Sequence, residues 1–373
     1  MLLDLRLIVE TKAGNLYYPA ITGGQIIKQF PFSCSTANIE IPIDSTVSLA
    51  HISPIRCDDV IRVQTCLRAD PDESVVYQDC FEGRIMQMSH SDSPNVVTLT
   101  CRGHEEEAVY RAVTSDYSAA STGTGAILTA LHGSYMDRVT TGANMASGTT
   151  LTSYNVDHHS KFMADVIREL EELEGYTYRY SVRPVYSGGM LSSTEALWQE
   201  ISTTPTTQYQ VISGSRRYIR STWQTKIDSL VNAVNIYGDN SSTQKTGSDS
   251  DSTSQSSYNQ RDHIETDLSL STDALCSAMA EAVVDKFKDP LIAGQCVLQL
   301  TPAAEPGDLV HCDVQDVYVE GDPVAGDYVV HRVVHNLSDM TTTLEVGALV
   351  ENVSDMISEF YAKERLHNTQ FID

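Results

Sequence analysis

Residues 306–349 read PGDLVHCDVQDVYVEGDPVAGDYVVHRVVHNLSDMTTTLEVGAL. Within this stretch, Asp327 to Val334 sets Tyr328, Val330, Arg332 and Val334 on one face of a strand and Val329, His331 and Val333 on the other. A polar turn at Asn336, Ser338 and Asp339 leads into Thr342 to Val346, again rich in β-branched residues. Alternation and turn chemistry together predict a hairpin. An earlier strand, Asp308 to Val314, enters through the turn pair Pro306-Gly307.

The same order of elements occurs once before. Asp58-Asp59-Val60-Ile61-Arg62-Val63 matches Gly307-Asp308-Leu309-Val310-His311-Cys312, and FEGRIMQMSHS (81–91) stands where GDYVVHRVVHN (326–336) stands later. Val96 to Thr100 then matches Thr341 to Glu345; His90 to Leu99 and His335 to Leu344 are both nine residues apart. One small antiparallel β module is therefore expected twice, with roughly 200 residues of other material between the copies. Two copies are too few for a solenoid.

Composition narrows the class. At 373 residues the chain is long enough for two to four domains, and its 41% hydrophobic and 20% charged content is that of a soluble globular protein. No apolar run reaches membrane-spanning length, and MLLDLRLIVETKAG has no signal-peptide pattern. A net charge of −25 argues against a phosphate-neutralising surface. An acidic wall would instead repel a nucleic-acid strand sliding past it. The eight cysteines form no CxxC and no zinc-ligand cluster, and those in strands (Cys66, Cys101, Cys312) read as buried free thiols. A disulfide role would need an oxidising environment.

Along the chain, strands are expected at 2–9, 26–32, 37–43, 58–67, 75–89 and 96–102. Helices are expected at Glu105 to Val113, with a solvated acidic start, at Thr124 to His132, and at His159 to Glu174, where Phe162, Val166, Leu170 and Leu173 share a face and Gly175 stops the helix. Gly133 to Tyr154 reads as turns, 183–210 as surface loops, and 239–260, which lacks any aliphatic residue, as an extended or mobile loop. A further helix, Ser271 to Lys288, repeats Leu275, Met279, Val283 and Phe287; a last one, Ser354 to Leu366, carries Ile357, Phe360 and Tyr361.

Chemistry-bearing motifs are scarce. GxSxG, Walker A, HExxH and GxGxxG are absent from any strand-to-helix setting, so no catalytic residue, metal or cofactor is expected. Asp157-His158-His159 sits at a helix start with its histidines on different faces, which favours solvent exposure. His311, His331 and His335 share one module without a carboxylate that the sequence places beside them. Glu105, Glu106 and Glu107 suit a paired-carboxylate glycosidase in principle and a solvated helix start more simply. The chain reads as a structural or interaction protein.

With the repeat in view, DDVIRV, FEGRIMQMS, NVVTLTCRG, DSLVNAVNIYG, PGDLV and GDYVVHRVVHNLS…TTLEVG together give a layout that resembles the baseplate hub family of phage tails, the tube-to-spike adaptor of contractile-type tails. The resemblance spans most of the chain and rests on patterns, not on signature motifs. It implies a β-dominated α+β fold with two tube-like antiparallel β-barrel domains and helical, loop-rich insertions. The expected division is 1–112 (first tube-like domain), 113–210 (inserted helical or α+β domain), 211–238 (start of the second tube-like domain), 239–289 (Ser-rich loop and helix insertion), 290–350 (its remainder) and 351–373 (terminal helix and tail). It further implies a homotrimeric, pseudo-hexameric ring joining a hexameric tail tube protein, or distal tail ring, to a trimeric central spike or tip protein, alongside other baseplate (wedge) proteins. Genomic DNA would pass through an acidic lumen without specific binding, and the protein would reside in the virion after assembly in the host cytoplasm. The ring interface is expected at Gly83, Ile85, Met88, Leu99, Tyr328, Val330, Val333, Leu344, Phe360 and Tyr361. Two other classes stay open at this point: a tail-associated cell-wall hydrolase (peptidase or glycosidase), and a receptor- or sugar-binding tail protein, which having only Trp198 and Trp223 disfavours.

Overall fold

The computed structural model of the chain describes residues 2–43, 52–68, 76–92, 95–227, 229–240, 243–266, 268, 270, 272–319 and 322–347. The chain opens with β1 (Leu2–Glu10), β2 (Leu16–Tyr17), β3 (Gly23–Gln29), β4 (Ser33–Pro42), β5 (Val60–Arg68), β6 (Gln78–Asp92) and β7 (Asn95–Gly103). Next come α1 (Glu106–Tyr110), β8 (Tyr117–Gly123), α2 (Thr124–Tyr135), β9 (Val139–Met145), β10 (Thr150–Val156), α3 (Met163–Leu173), β11 (Tyr178–Ser187) and β12 (Met190–Glu200). The remainder is β13 (Val211–Ile212), β14 (Tyr218–Lys226), β15 (Ala233–Tyr237), β16 (Thr246–Ser250), α4 (Ser252–Tyr258), β17 (Asp262–Thr266), α5 (Asp273–Phe287), β18 (Leu291–Gln299), β19 (Leu309–Val319), β20 (Asp322–Asn336) and β21 (Thr341–Gly347).

Strand dominates helix, as the alternating patterns require. Thirteen strands form one sheet in the order β14-β18-β21-β20-β3-β4-β7-β6-β5-β1-β2, with β19 beside β20 and β13 beside β19. The β-dominated α+β class is therefore as expected, but two closed barrels are not what forms. Among the described residues neither half closes on itself. Instead β3 takes β20 of the other half as its second neighbour, so one edge of the first half is covered by pairing and not by closure.

Alternation decides which face is core. In β7, residues 97, 99, 101 and 103 are buried while 96, 98, 100 and 102 are partly open; β21 buries 342, 344 and 346 in the same way. Leu7, Val9, Ile26, Ile39, Ile61, Val63 and Ile85 fill the core of the first half, and Val211, Cys296, Leu298, Val310, Val330 and Leu344 that of the second. All eight cysteines stand outside any disulfide, and those at 66, 80, 101, 276, 296 and 312 are buried.

Two insertions carry their own cores. The first packs α2 and α3 against the β11-β12-β9 and β10-β8 sheets around Trp198, which is fully buried and stacks on Tyr178 at 5.8 Å. The second covers β16-β15-β17 with α5 through Met279, Val283 and Phe287.

Several sequence expectations change. Residues 183–210 are not all loop: the end of β11 and β12 form a hairpin through Gly188-Gly189, whose positive φ angles suit the turn. Part of 133–154 is the strands β9 and β10. The Ser-rich tract 239–260 holds β16 and α4: β16 borrows its hydrophobic support from β15, and the Asp251 carboxylate caps α4 by accepting from the Ser254 amide. The described part of a tract with no aliphatic residue is held here by its neighbours' core and by hydrogen bonds. The expected helix 354–366, with Phe360 and Tyr361, lies outside the described residues.

Candidate functional site

The repeat inferred from sequence is the same five-stranded antiparallel order built twice with matching registers; the sixth strand differs, β1 pairing antiparallel with β5 and the two-residue β13 parallel with β19. The first half runs β3-β4-β7-β6-β5-β1 and the second β14-β18-β21-β20-β19-β13. β6 and β20 are each fifteen residues long. Val60 pairs with Arg84 as Leu309 pairs with Val329, and Leu99 pairs with Met88 as Leu344 pairs with Val333. Both long strands carry a bulge at the same place, between Ile85 and Gln87 and between Val330 and Arg332.

The entry turns match too. Asp58 (φ 71°) stands where Gly307 (φ 86°) stands, the left-handed conformation that glycine adopts without strain. The Asp58 amide donates to the Ile85 carbonyl at 2.6 Å and the Gly307 amide to the Val330 carbonyl at 2.7 Å. The Asp59 carboxylate accepts from the Arg56 amide (2.7 Å), as Asp308 accepts from the Glu305 amide (3.1 Å).

The halves join at the β3–β20 seam, where Gln29, Lys28, Ile27, Ile26 and Gln25 face Arg332, Val333, Val334, His335 and Asn336. The Phe30 amide donates to the His331 carbonyl and the Leu337 amide to the Gly24 carbonyl. Leu337 from the second half is buried in the core of the first. Lys28 Nζ lies 2.5 Å from Glu305 Oε1. Burial alone would push the Lys28 ammonium down, but the Glu305 carboxylate, with Cys80 and Glu105 further off, holds it above its ordinary value. His335 is fully buried at the seam and its Nδ1 meets Thr342 Oγ1 at 2.9 Å; burial pushes its imidazolium down to about 3.

The sheet's second face is less buried and carries a polar row. One cross-strand row, Gln87, Thr100, Asn38, Gln25, Asn336, Thr341 and Gln299, runs through the seam across both halves. Every member is a hydroxyl or an amide. Glu40 sits on the next row to one side; on the other come Thr36, Ile27, Val334, Thr343 and Val297, with the Arg332–Glu345 ion pair (2.8 Å) beyond them.

A cavity of about 390 Å³ lies beside the seam, lined by Lys28, Glu105, Glu171, Arg179, Tyr180 and Glu305 among others. Two of its carboxylates are taken up by backbone amides, and Glu171 ties the first insertion to the sheet. Glu105 accepts from the Ser35 amide, and Glu171 from the Phe32 and Tyr180 amides at 2.6 and 2.9 Å. Burial raises Glu171 to about 7. The solvated acidic helix start is a correction: Glu106 and Glu107 are buried, and Glu107 accepts from the amides of Asp137, Arg138 and Val139. Three backbone donors offset the desolvation of that carboxylate. Nothing in the local sequence marks them, because they come from thirty residues downstream.

The histidines do not converge on one site: His311 meets Asp327 at 2.7 Å, His331 the Gly347 carbonyl, and His335 Thr342. His158 is exposed and meets Asp116. Among the described residues no group of three or more His, Cys, Asp or Glu could hold a metal, and no helix is long and apolar enough to cross a membrane. Of the residues named for an interface, Gly83, Ile85, Leu99, Val330, Val333 and Leu344 are buried within the chain, and Met88 and Tyr328 are partly so.

No family model and no curated protein matches the chain in sequence. Solved structures do match in fold. The 43 kDa tail protein of prophage MuSo2 from Shewanella oneidensis superposes with a TM-score of 0.58 at 10% identity, over 94% of this chain and 99% of that one. A tail protein from Neisseria meningitidis gives 0.57 at 12% identity, over 92% and 97%. The prophage tail protein gp18 from Listeria monocytogenes gives 0.51 at 9%, over 96% and 99%. Identities this low establish the architecture and leave the activity to be argued from the molecule itself. In fold, this chain is similar to these phage tail proteins, as the layout of its repeated hairpins implied.

Proposed function

We propose that the protein is a structural hub of a phage tail, three copies of which form a ring of six similar modules between a hexameric tail tube and a trimeric spike or tip. The observation that carries this reading is the duplication in register, with the two copies joined edge to edge at β3–β20. A contact that joins module to module head to tail repeats until the rotation closes it, and two modules per chain let a trimer imitate a hexamer. The sheet's less buried face is the one suited to line the opening. Its hydroxyl and amide row offers DNA neither the lysine–arginine surface that would retain it nor an apolar one. On this reading the expected acidic wall becomes a neutral, hydrated one, with the −25 charge lying elsewhere on the chain. Genomic DNA passes without specific binding, the protein resides in the virion, and cell-wall cleavage belongs to a partner. The domain division follows the modules, with the two insertions as appended units.

Light scattering of the purified protein over a concentration series tests the reading. A mass near three times 41.0 kDa is expected. A chain that stays monomeric at every concentration, or forms only dimers, overturns it.

A further inference from the structure

The internal seam uses the outer edge of β3 and the bulge-distal half of β20, and each has a counterpart whose edge is free among the described residues. The counterpart of β3 is β14, which pairs with β18 alone there; the counterpart of 332–336 on β20 is 87–91 on β6, which pairs with β7 alone. Burial at matched positions differs in the direction that an unfilled seam requires. His335 is fully buried, and its counterpart His90 is exposed; Ile26 is fully buried, and its counterpart Trp223 is partly open.

We infer that β14 of one copy pairs antiparallel with residues 87–91 on β6 of the next, repeating the β3–β20 seam between chains. This rests on the ring reading above and assigns its interface. Carrying the internal register across sets Lys226, Thr225, Gln224, Trp223 and Thr222 against Gln87, Met88, Ser89, His90 and Ser91. The contact is the backbone edge of the hairpin, because Ile85 and Leu99 belong to the chain's own core. At the internal seam the hydrogen-bonded pairs include Phe30 with His331 and Gly24 with Leu337, so Lys28–Val333 and Ile26–His335 are of the same kind. By the same alternation the amides of Met88 and His90 point out of the free edge. The occupant is a second copy because the edge that fits is on the chain itself. The new seam lacks two features of the internal one: position 92 carries Asp where Leu337 plugs the core, and Thr225 and Arg56 stand where Lys28 and Glu305 pair. Its assembly is therefore expected to be weaker than the internal join and dependent on concentration.

Ser89 and Gln224 fall opposite each other at a non-hydrogen-bonded position, where Cα atoms about 4.5 Å apart accept a disulfide. The S89C/Q224C full-length variant, mildly oxidised, should give covalent dimers and trimers on a non-reducing gel. Neither single variant should do so, nor a register-shifted S91C/Q224C control. His90→Pro, which removes an outward amide from an edge strand, should abolish the trimer and leave the thermal midpoint of the chain near that of the wild type. A trimer that forms with His90→Pro and without in-register cross-links overturns this seam while leaving the ring standing. Absence of any trimer in the unmodified protein overturns both.

Discussion

Lys28 and Glu305 form an ion pair across the junction of the two half-sheets, Nζ to Oε1 at 2.5 Å, between β3 of the first half and the entry turn to β19 of the second. Their environments differ: 11% of the Lys28 side chain is exposed against 45% for Glu305. Removing the carboxylate strands a buried ammonium, whereas removing the ammonium leaves a carboxylate that water reaches. Glu305→Gln should thus cost about 2–3 kcal/mol and Lys28→Met less, about 1 kcal/mol. Urea unfolding of both variants measures this, and the reverse order would refute the account. Since the Lys28 value is raised when folded, its contribution is full below the lysine range and is lost as pH climbs through it.

Glu171 makes stability fall with pH in a separate window. Its folded value of about 7 lies above the ordinary 4.5, so the unfolded chain ionises first. Stabilisation from this group is complete below about 4.5 and disappears as pH rises to about 7, a loss on the order of 3 kcal/mol. Glu171→Gln lowers stability at acid pH by removing an acceptor for the Phe32 or Tyr180 amide. It should also flatten that fall, which denaturant titrations at pH 4.5, 6 and 7.5 would read. An unchanged slope would place the burial effect elsewhere, Glu82 being another carboxylate that burial raises to about 7.

The matched turns at Asp58 and Gly307 should respond unequally to exchange. At Gly307 a Cβ would lie 2.9 Å from Arg179 Cδ with φ at +86°. Gly307→Ala should cost about 1–2 kcal/mol. Asp58→Gly relieves the same backbone conformation but gives up ion pairs to Lys12, Arg84 and Arg138. The two effects offset, and a change within about 1 kcal/mol is expected. Thermal midpoints of the two variants decide it.

Trp198 anchors the first insertion. Fully buried, it stacks on Tyr178 and its Nε1 donates to Thr124 Oγ1 at 3.3 Å. Trp198→Ala should cost about 3–5 kcal/mol. Hydrogen exchange should quicken in α2 and α3 while β18–β21, whose core excludes this residue, keep their protection. Equal loss of protection in both regions would show the insertion and the sheet to unfold as one unit.

The paired hairpins are legible in the chain alone because a strand with one buried face must alternate, and a bulge or turn fixes where the alternation slips. Asp58 against Gly307 and His90 against His335 align from the residues of 58–63 and 81–91, and the registers of the folded chain match them. The long helices, Met163–Leu173 and Asp273–Phe287, are legible for the same reason, their apolar residues recurring on one face. What only the tertiary structure decided depends on partners distant in sequence. The Ser-rich tract folds because β15 and α5 supply the apolar surface it lacks, and Glu107 is buried because three amides from 137–139 meet it. The join of β3 to β20 belongs to the same group. Alternation specifies which face of a strand is covered, but backbone amides and carbonyls are alike in every residue, so which edge pairs with which is settled only when the two sheets meet.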